Sequence, residues 1–388
     1  MFQNTTVNRG ARLGVPLTCL AALSFGGVAR AGDWPAYLHD NARSGVTSES
    51  LQLPLAERWH YTSSGAPEPA WDDPKPVPVE GFLERPRVKF DDAYYTVSAN
   101  GLVYFASAAE NRVCALDAAT GKEVWAFFTE ASPRLAPALW EGRLYFGADD
   151  GFVYCLNAAD GAPVWRFRAA PADLMVLGHG RMISLWPVRT GVLVDGGVVY
   201  FGAGIFPAER VFLYALDAKD GSLLWKNDTL DDRNAGQGSF TPQGYLLASK
   251  TRLYAPTGRT MPASFDRATG NFVAQRNISK ATAMVGGTYA LLDGDNLYTG
   301  TEEITGVDDK GAGKFAWFRG KRLLFSTTTS YLLSDLGIAA LSRGKYPELS
   351  TQRKGMEIRR GVLADQANRE KDKAKAAALK EQLAPLDQ

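Results

Sequence analysis

The sequence predicts an all-β fold assembled from repeated sheets, and three observations carry that expectation. Glycine and proline are abundant, 39 and 20 of 388 residues, as many tight turns between short strands require. Apolar residues make up 45% and charged residues 22%, which supports a buried core and argues against disorder. Above all, one pattern of residues recurs along the chain.

Four segments carry the pattern. Leu102-Val103-Tyr104-Phe105 leads through Ala115-Leu116-Asp117-Ala118-Ala119-Thr120-Gly121 to Trp125. Leu144-Tyr145-Phe146-Gly147 leads through Cys155-Leu156-Asn157 and Gly161 to Trp165. Val199-Tyr200-Phe201-Gly202 leads through Ala215-Leu216-Asp217 and Gly221 to Trp225. Leu253-Tyr254-Ala255 leads through Phe265-Asp266 and Gly270 to Phe272-Val273, with Ala274 where tryptophan would stand. Weaker copies follow at Leu297-Tyr298-Thr299-Gly300 and at Tyr331-Leu332-Leu333 with Ile338-Ala339-Ala340-Leu341.

Each part of the repeat has a physical job. The Leu-Tyr-Phe run is apolar on both faces, as a strand inside stacked sheets should be. Asp or Asn binds the backbone ahead of it, and the Gly four residues on tolerates positive φ, so the two close a hairpin. The tryptophan offers a broad apolar face and one N–H to a neighbouring sheet. Copies lie about forty residues apart where no loop intervenes, the length of one four-stranded propeller blade. The expected fold is a β-propeller of six visible blades, the last incomplete, forming an open arc or truncated ring with a C-terminal helix.

Ala-x-Asp-x-x-Thr-Gly-x-x-x-Trp resembles the tryptophan-docking motif of the quinoprotein family of β-propellers. Residues 115–125 match at every position, 215–225 at all but the Thr, and 155–165 more loosely. Asp33-Trp34-Pro35 with His39-Asp40-Asn41-Ala42-Arg43-Ser44-Gly45 looks like the lead-in of exported members. By the same resemblance Arg58-Trp59-His60-Tyr61 is expected as a strand in the outermost layer of a blade, and Trp125, Trp165 and Trp225 as the docking residues. Family propellers usually have seven or eight blades, closed by pairing the first strand with the last blade. Here the chain turns helical over 351–388, rich in Ala, Lys, Glu and Gln, so the blades are expected over 32–350.

Residues 1–31 read as a cleaved signal peptide. Arg9 and Arg12 precede an uncharged apolar stretch from Leu13 to Val28 that ends in Ala29-Arg30-Ala31. Cys19 lies inside that stretch, which argues against a lipid anchor. No later segment approaches a bilayer span, so the protein is expected to be exported, to the periplasm or cell surface, without a transmembrane segment. Removing the signal leaves 40 basic against 42 acidic residues, a balance that gives no argument for nucleic acid. Cys114 and Cys155 then remain, out of step by one position and hence on opposite strand faces. They read as small buried residues.

The chain shows little chemistry. His39, His60 and His179 are dispersed, and haem-attachment and phosphate-loop motifs are missing. The acidic pairs Asp72-Asp73, Asp91-Asp92, Asp149-Asp150, Asp231-Asp232 and Asp308-Asp309 read as turn residues. The resemblance implies dehydrogenases that use pyrroloquinoline quinone with calcium, which typically carry adjacent cysteines under the quinone. This chain has none, and no Glu, Asn and Asp set is assignable to calcium, so no cofactor is expected.

One constellation stands out. Arg134 lies eleven residues before Tyr145, and Arg189 eleven before Tyr200, in one register near the start of an innermost strand. Those starts surround the mouth of a propeller's channel. With Trp186 and Arg181 in the long insertion before Arg189, two guanidiniums beside an aromatic suit an anionic or carbohydrate-like ligand. They equally suit internal pairing with carboxylates. Two function classes follow. One is a non-catalytic exported scaffold binding an envelope protein, peptide or glycan through its loop face; the other is a quinone- and calcium-dependent oxidoreductase.

Overall fold

The computed structural model describes residues 32–72, 88–230, 240–257, 261–275, 288–300, 303–307 and 314–386. The expected signal peptide, residues 1–31, lies outside them, as do Asp73, Asp231, Asp232, Asp308 and Asp309. The chain from Asp33 onward forms one compact unit.

Six blade sheets follow one another in chain order among these residues, with two small two-stranded sheets besides. Blade 1 (97–128) is a meander of Val97–Ala99, Leu102–Ser107, Arg112–Asp117 and Glu123–Phe128, paired antiparallel in that order. Blades 2 (138–168), 3 (193–227), 4 (247–274) and 5 (290–319) repeat it with four strands each, and blade 6 (322–342) has three. The expected six units with an incomplete last one are what the chain forms.

The repeat residues do the work assigned to them. Asp117 Oδ1 accepts from Thr120 N at 2.8 Å and Thr120 Oγ1 at 2.7 Å, bonds that hold its carboxyl below the usual range. Asp266 repeats this with Thr269. Gly161 follows such a turn at φ 73°, and a Cβ there would lie 2.7 Å from the Trp125 ring. Gly221 receives Trp165 and Gly270 receives Trp225 in the same way. The tryptophans of blades 1, 2 and 3 therefore each dock on the turn of the next blade. Trp125 Nε1 donates to Ala158 O at 3.0 Å and Tyr104 Oη donates to the same oxygen at 3.1 Å. Trp165 and Tyr145 share Ala218 O likewise, at 3.1 and 3.0 Å. The repeat tyrosine is thus half of the docking device, a role beyond the plain strand residue expected of it. Trp125 is buried, and Trp165 and Trp225 are half-buried.

Trp59 docks too, against the turn of blade 1, but Arg58–Tyr61 is not the expected strand. No strand lies alongside it among the described residues, so it covers blade 1 as irregular chain. Trp59 and Tyr61 pack there over Phe105, Cys114 and Leu116.

Where a central channel was expected, the lead-in fills the axis. Trp34 pairs with Ser98 of blade 1 by two 2.8 Å bonds, and Pro35 O accepts from Leu139 N of blade 2. Asn41 Nδ2 donates to Val194 O of blade 3 at 2.9 Å, and Asn41 O accepts from Ala248 N of blade 4. Ala42 O accepts from Leu292 N of blade 5, and Gly45 lies against the Leu324 side chain of blade 6. Arg43 is buried beneath this, its Nε on Leu246 O at 2.9 Å. Tyr37 stacks on Tyr245 with centroids 3.5 Å apart. The first strand of every blade is thereby innermost.

Blade 6 has two unlike faces. Leu323 and Leu332 are buried against blade 5, while Leu324, Tyr331, Leu333 and Ile338 are exposed. This is the open end of the arc. Helix α1 (Tyr346–Arg369) begins earlier than expected because Pro347 starts it, and it lies on the outer strand of blade 5. There Ser350 Oγ accepts from Trp317 N at 3.1 Å, satisfying an edge donor. Helix α2 (Lys373–Leu383) follows a break at Asp372, whose carboxylate caps it on Ala374 N and Lys375 N.

Candidate functional site

In a meander, the loops between second and third strands share a face with the connections to the next blade. Arg134 and Arg189 lie in two such connections, just before the inner strands Ala138–Trp140 and Leu193–Asp195. Asp149 lies in the blade 2 loop that turns between them. It is fully buried. Arg189 grips it with both ends of its fork, Nε to Oδ1 at 2.9 Å and Nη2 to Oδ2 at 3.1 Å. Arg134 Nε donates to Oδ2 at 2.6 Å, and its Nη1 reaches Asp91 Oδ2 at 3.1 Å and Glu68 O at 2.7 Å.

Burial alone would raise the Asp149 pKa, but the two guanidiniums outweigh it and hold the carboxyl below its usual range. Asp91 is more strongly desolvated than compensated, so its pKa is raised. Two cations thus face two carboxylates, and the positive charge is matched inside the protein. Internal pairing, rather than an open pair of guanidiniums, is what the geometry shows for Arg134 and Arg189.

Gln243 completes the register. It lies eleven residues before Tyr254, as Arg134 and Arg189 do before theirs, and its Oε1 accepts from Trp71 Nε1 at 2.7 Å. The Trp71 ring covers the Arg189 guanidinium at 5.5 Å. Trp186, expected as the aromatic beside the arginines, is instead buried with Ala169, Ala170 and Val188, and its indole N–H bonds Glu209 O. The eleven-residue offset was the signal for Gln243. Trp71 had none, because it lies outside the repeats.

Arg181 belongs to a different structure on the same face. Strands Met175–Gly178 and Arg181–Ser184 form a hairpin inside the insertion. Arg181 ties it down to the Glu68 carboxylate and, at 3.3 Å, to Asn111 Oδ1 and Ala109 O. At its base, Ser184 N donates to Asp149 O at 2.7 Å. The buried carboxylate residue therefore supports the hairpin through its main chain. Leu174, Leu177 and Met182 are exposed on it at 51%, 76% and 53%. The neighbouring Asp150 is buried, accepts from Tyr154 Oη at 2.7 Å, and is pushed up to about 6 by desolvation. Asp149 and Asp150 do sit in a turn, as the sequence indicated, yet both carboxylates are buried and bonded.

These residues do not fit a calcium-held quinone. Both Asp149 oxygens are occupied by guanidiniums, and the described residues gather no three His, Cys, Asp or Glu able to hold a metal.

Fold and docking motif define a quinoprotein-like β-propeller. The chain belongs to the family described as outer membrane protein assembly factor BamB, which matches residues 70–319. It is 34% identical over 92 residues to the outer membrane protein assembly factor BamB of Escherichia coli (strain K12), covering 24% of this chain and 21% of that protein. It is 32% identical over 142 residues to the dehydrogenase subunit of the quinone alcohol dehydrogenase of Gluconobacter oxydans (strain 621H), covering 33% and 18%. The solved quinohemoprotein alcohol dehydrogenase from Comamonas testosteroni shares the fold, with a TM-score of 0.50 at 15% identity over 82% of this chain and 52% of that one. The chain spans less than half the length of the curated relatives it matches. No helix among the described residues is long and apolar enough to cross a membrane.

Proposed function

We propose that the protein is an exported, non-catalytic scaffold that binds an envelope protein through its loop face. The observation that supports this reading is the hairpin Met175–Ser184. Solvated apolar side chains on a two-stranded hairpin are costly unless something covers them. Arg181 and the Asp149 main chain hold this one rigid, so little ordering entropy opposes binding. Arg134 and Arg189 belong to its foundation, Trp186 to the packing beneath the insertion, and half-buried Arg181 stands nearest a partner. A peptide segment of such a partner meets the same surface; a glycan would find fewer polar groups there.

A photocrosslinker in place of Leu177, compared with one at Lys122 on the opposite face, tests the reading in the native envelope. A discrete protein adduct from Leu177 alone, lost on Met182→Glu, is the expected result. Equal adducts from both positions would overturn it. The quinone-dependent alternative predicts instead a quinone absorbance band and bound calcium after purification with both present.

A further inference from the structure

We propose that the cleft between helix α1 and the outer strand of blade 5 binds a phosphate group. The strand Lys314–Arg319 contributes Trp317 and Arg319, and α1 contributes Arg353, Lys354 and Glu357. Helical spacing brings the last three onto the face turned toward the strand. Three cations converge there on one carboxylate. Arg353 Nε lies 3.1 Å from Glu357 Oε1, while Lys354 Nζ and Arg319 Nη2 lie 3.7 and 3.9 Å from Oε2. The two longer contacts are attractions between charges and not hydrogen bonds, so most donors of the cluster are uncommitted to Glu357.

The walls complete the site. The buried Trp317 ring forms one side, and Lys354 Nζ sits 4.4 Å from its centroid. Arg319 and Arg353 have side chains 69% and 73% exposed, free to turn toward a ligand. Among the described residues lining the cleft, Glu357 is the one carboxylate against three cations. A phosphate carries more charge than Glu357 and more acceptor oxygens, and two guanidinium forks match it better than a second carboxylate would. The phosphate can come from solution or from a lipid headgroup, and the two sources are separable.

Inorganic phosphate is titrated calorimetrically into the mature protein at constant ionic strength. Saturable binding is expected, weakened about tenfold by Arg353→Gln, the loss of one charge-assisted bond. Glu357→Gln should tighten binding several-fold by removing the internal competitor, a gain that a merely structural role would not produce. Both positions are at the surface, so folding is not at stake. Absence of saturable binding, or affinities unmoved by both variants, would overturn the proposal. Co-sedimentation with phosphatidate vesicles but not phosphatidylcholine vesicles, competed by inorganic phosphate, assigns the site to a headgroup. Phosphate binding without vesicle binding assigns it to a soluble phosphate.

Discussion

Trp59 donates its indole N–H to Ala118 O at 2.9 Å, the same bond that Trp125 makes to Ala158 one blade further on. A residue from irregular chain thus occupies the position that blades otherwise fill from their outer strands. The docking geometry is set by the receiving turn, not by the strand that delivers the ring.

That reading makes the turn as important as the tryptophan. Trp125→Ala should cost about 3–5 kcal/mol, the range for truncating a buried aromatic. Gly161→Ala should cost roughly 1–2 kcal/mol from its left-handed backbone alone, with the Trp125 clash added. Chemical denaturation of the two variants measures both. Losses under about 1 kcal/mol in each would contradict the docking role.

The Arg134–Asp149–Arg189 cluster predicts a large asymmetric penalty. Asp149→Asn leaves two buried guanidiniums without their shared counter-charge and should cost about 3–5 kcal/mol. The sign of the pH effect is fixed by the lowered folded pKa. Stability from Asp149 is present above the pKa of the unfolded carboxyl and is lost as pH falls through the lower folded value. Wild type should therefore lose acid stability that the Asn variant never had, as thermal melts across the acid range would show.

Asp150 predicts the opposite slope. Its folded pKa of about 6 lies above that of an unfolded Asp, so the folded state binds the extra proton in between. Stability from this group falls as pH rises from about 4 to about 6 and is flat beyond. Asp150→Asn keeps a partner for Tyr154 and should stabilise the protein at neutral pH. Melts of this variant that fall below wild type at pH 7 would count against the assignment.

Cys114 and Cys155 should be inert in the folded protein. Burial pushes their thiols up to about 12 and 11, and both are fully enclosed. Alkylation with mass readout should find neither labelled in buffer and both labelled in urea.

The sequence displayed those features whose cause is local. A docking tryptophan, a turn Asp and a turn Gly each answer to neighbours a few residues away, so they stand out in one copy and repeat in the next. Arg134 and Arg189 were found by register, and Gln243 sits in that register but was hidden by a change of residue type. Asp149 looked like any turn acid, since nothing local distinguishes a carboxylate that turns inward from one left in water. Trp71 reaches Gln243 across 172 residues of chain, a contact no pattern of spacing announces. The lead-in was recognisable at Trp34 and Asn41, but its place on the axis depends on contacts with six separate sheets.

That placement bears on how the molecule comes into being. Arg43 meets Leu246 across a separation of 203 positions, and Ala42 waits longer for Leu292. Contacts of such separation form late, because closing the loop must precede any reward. Residues 33–45 should on that count be seated late, laid along blades already stacked. Tyr245, which Tyr37 covers at a centroid distance of 3.5 Å, would stay open to water until that stretch is in place.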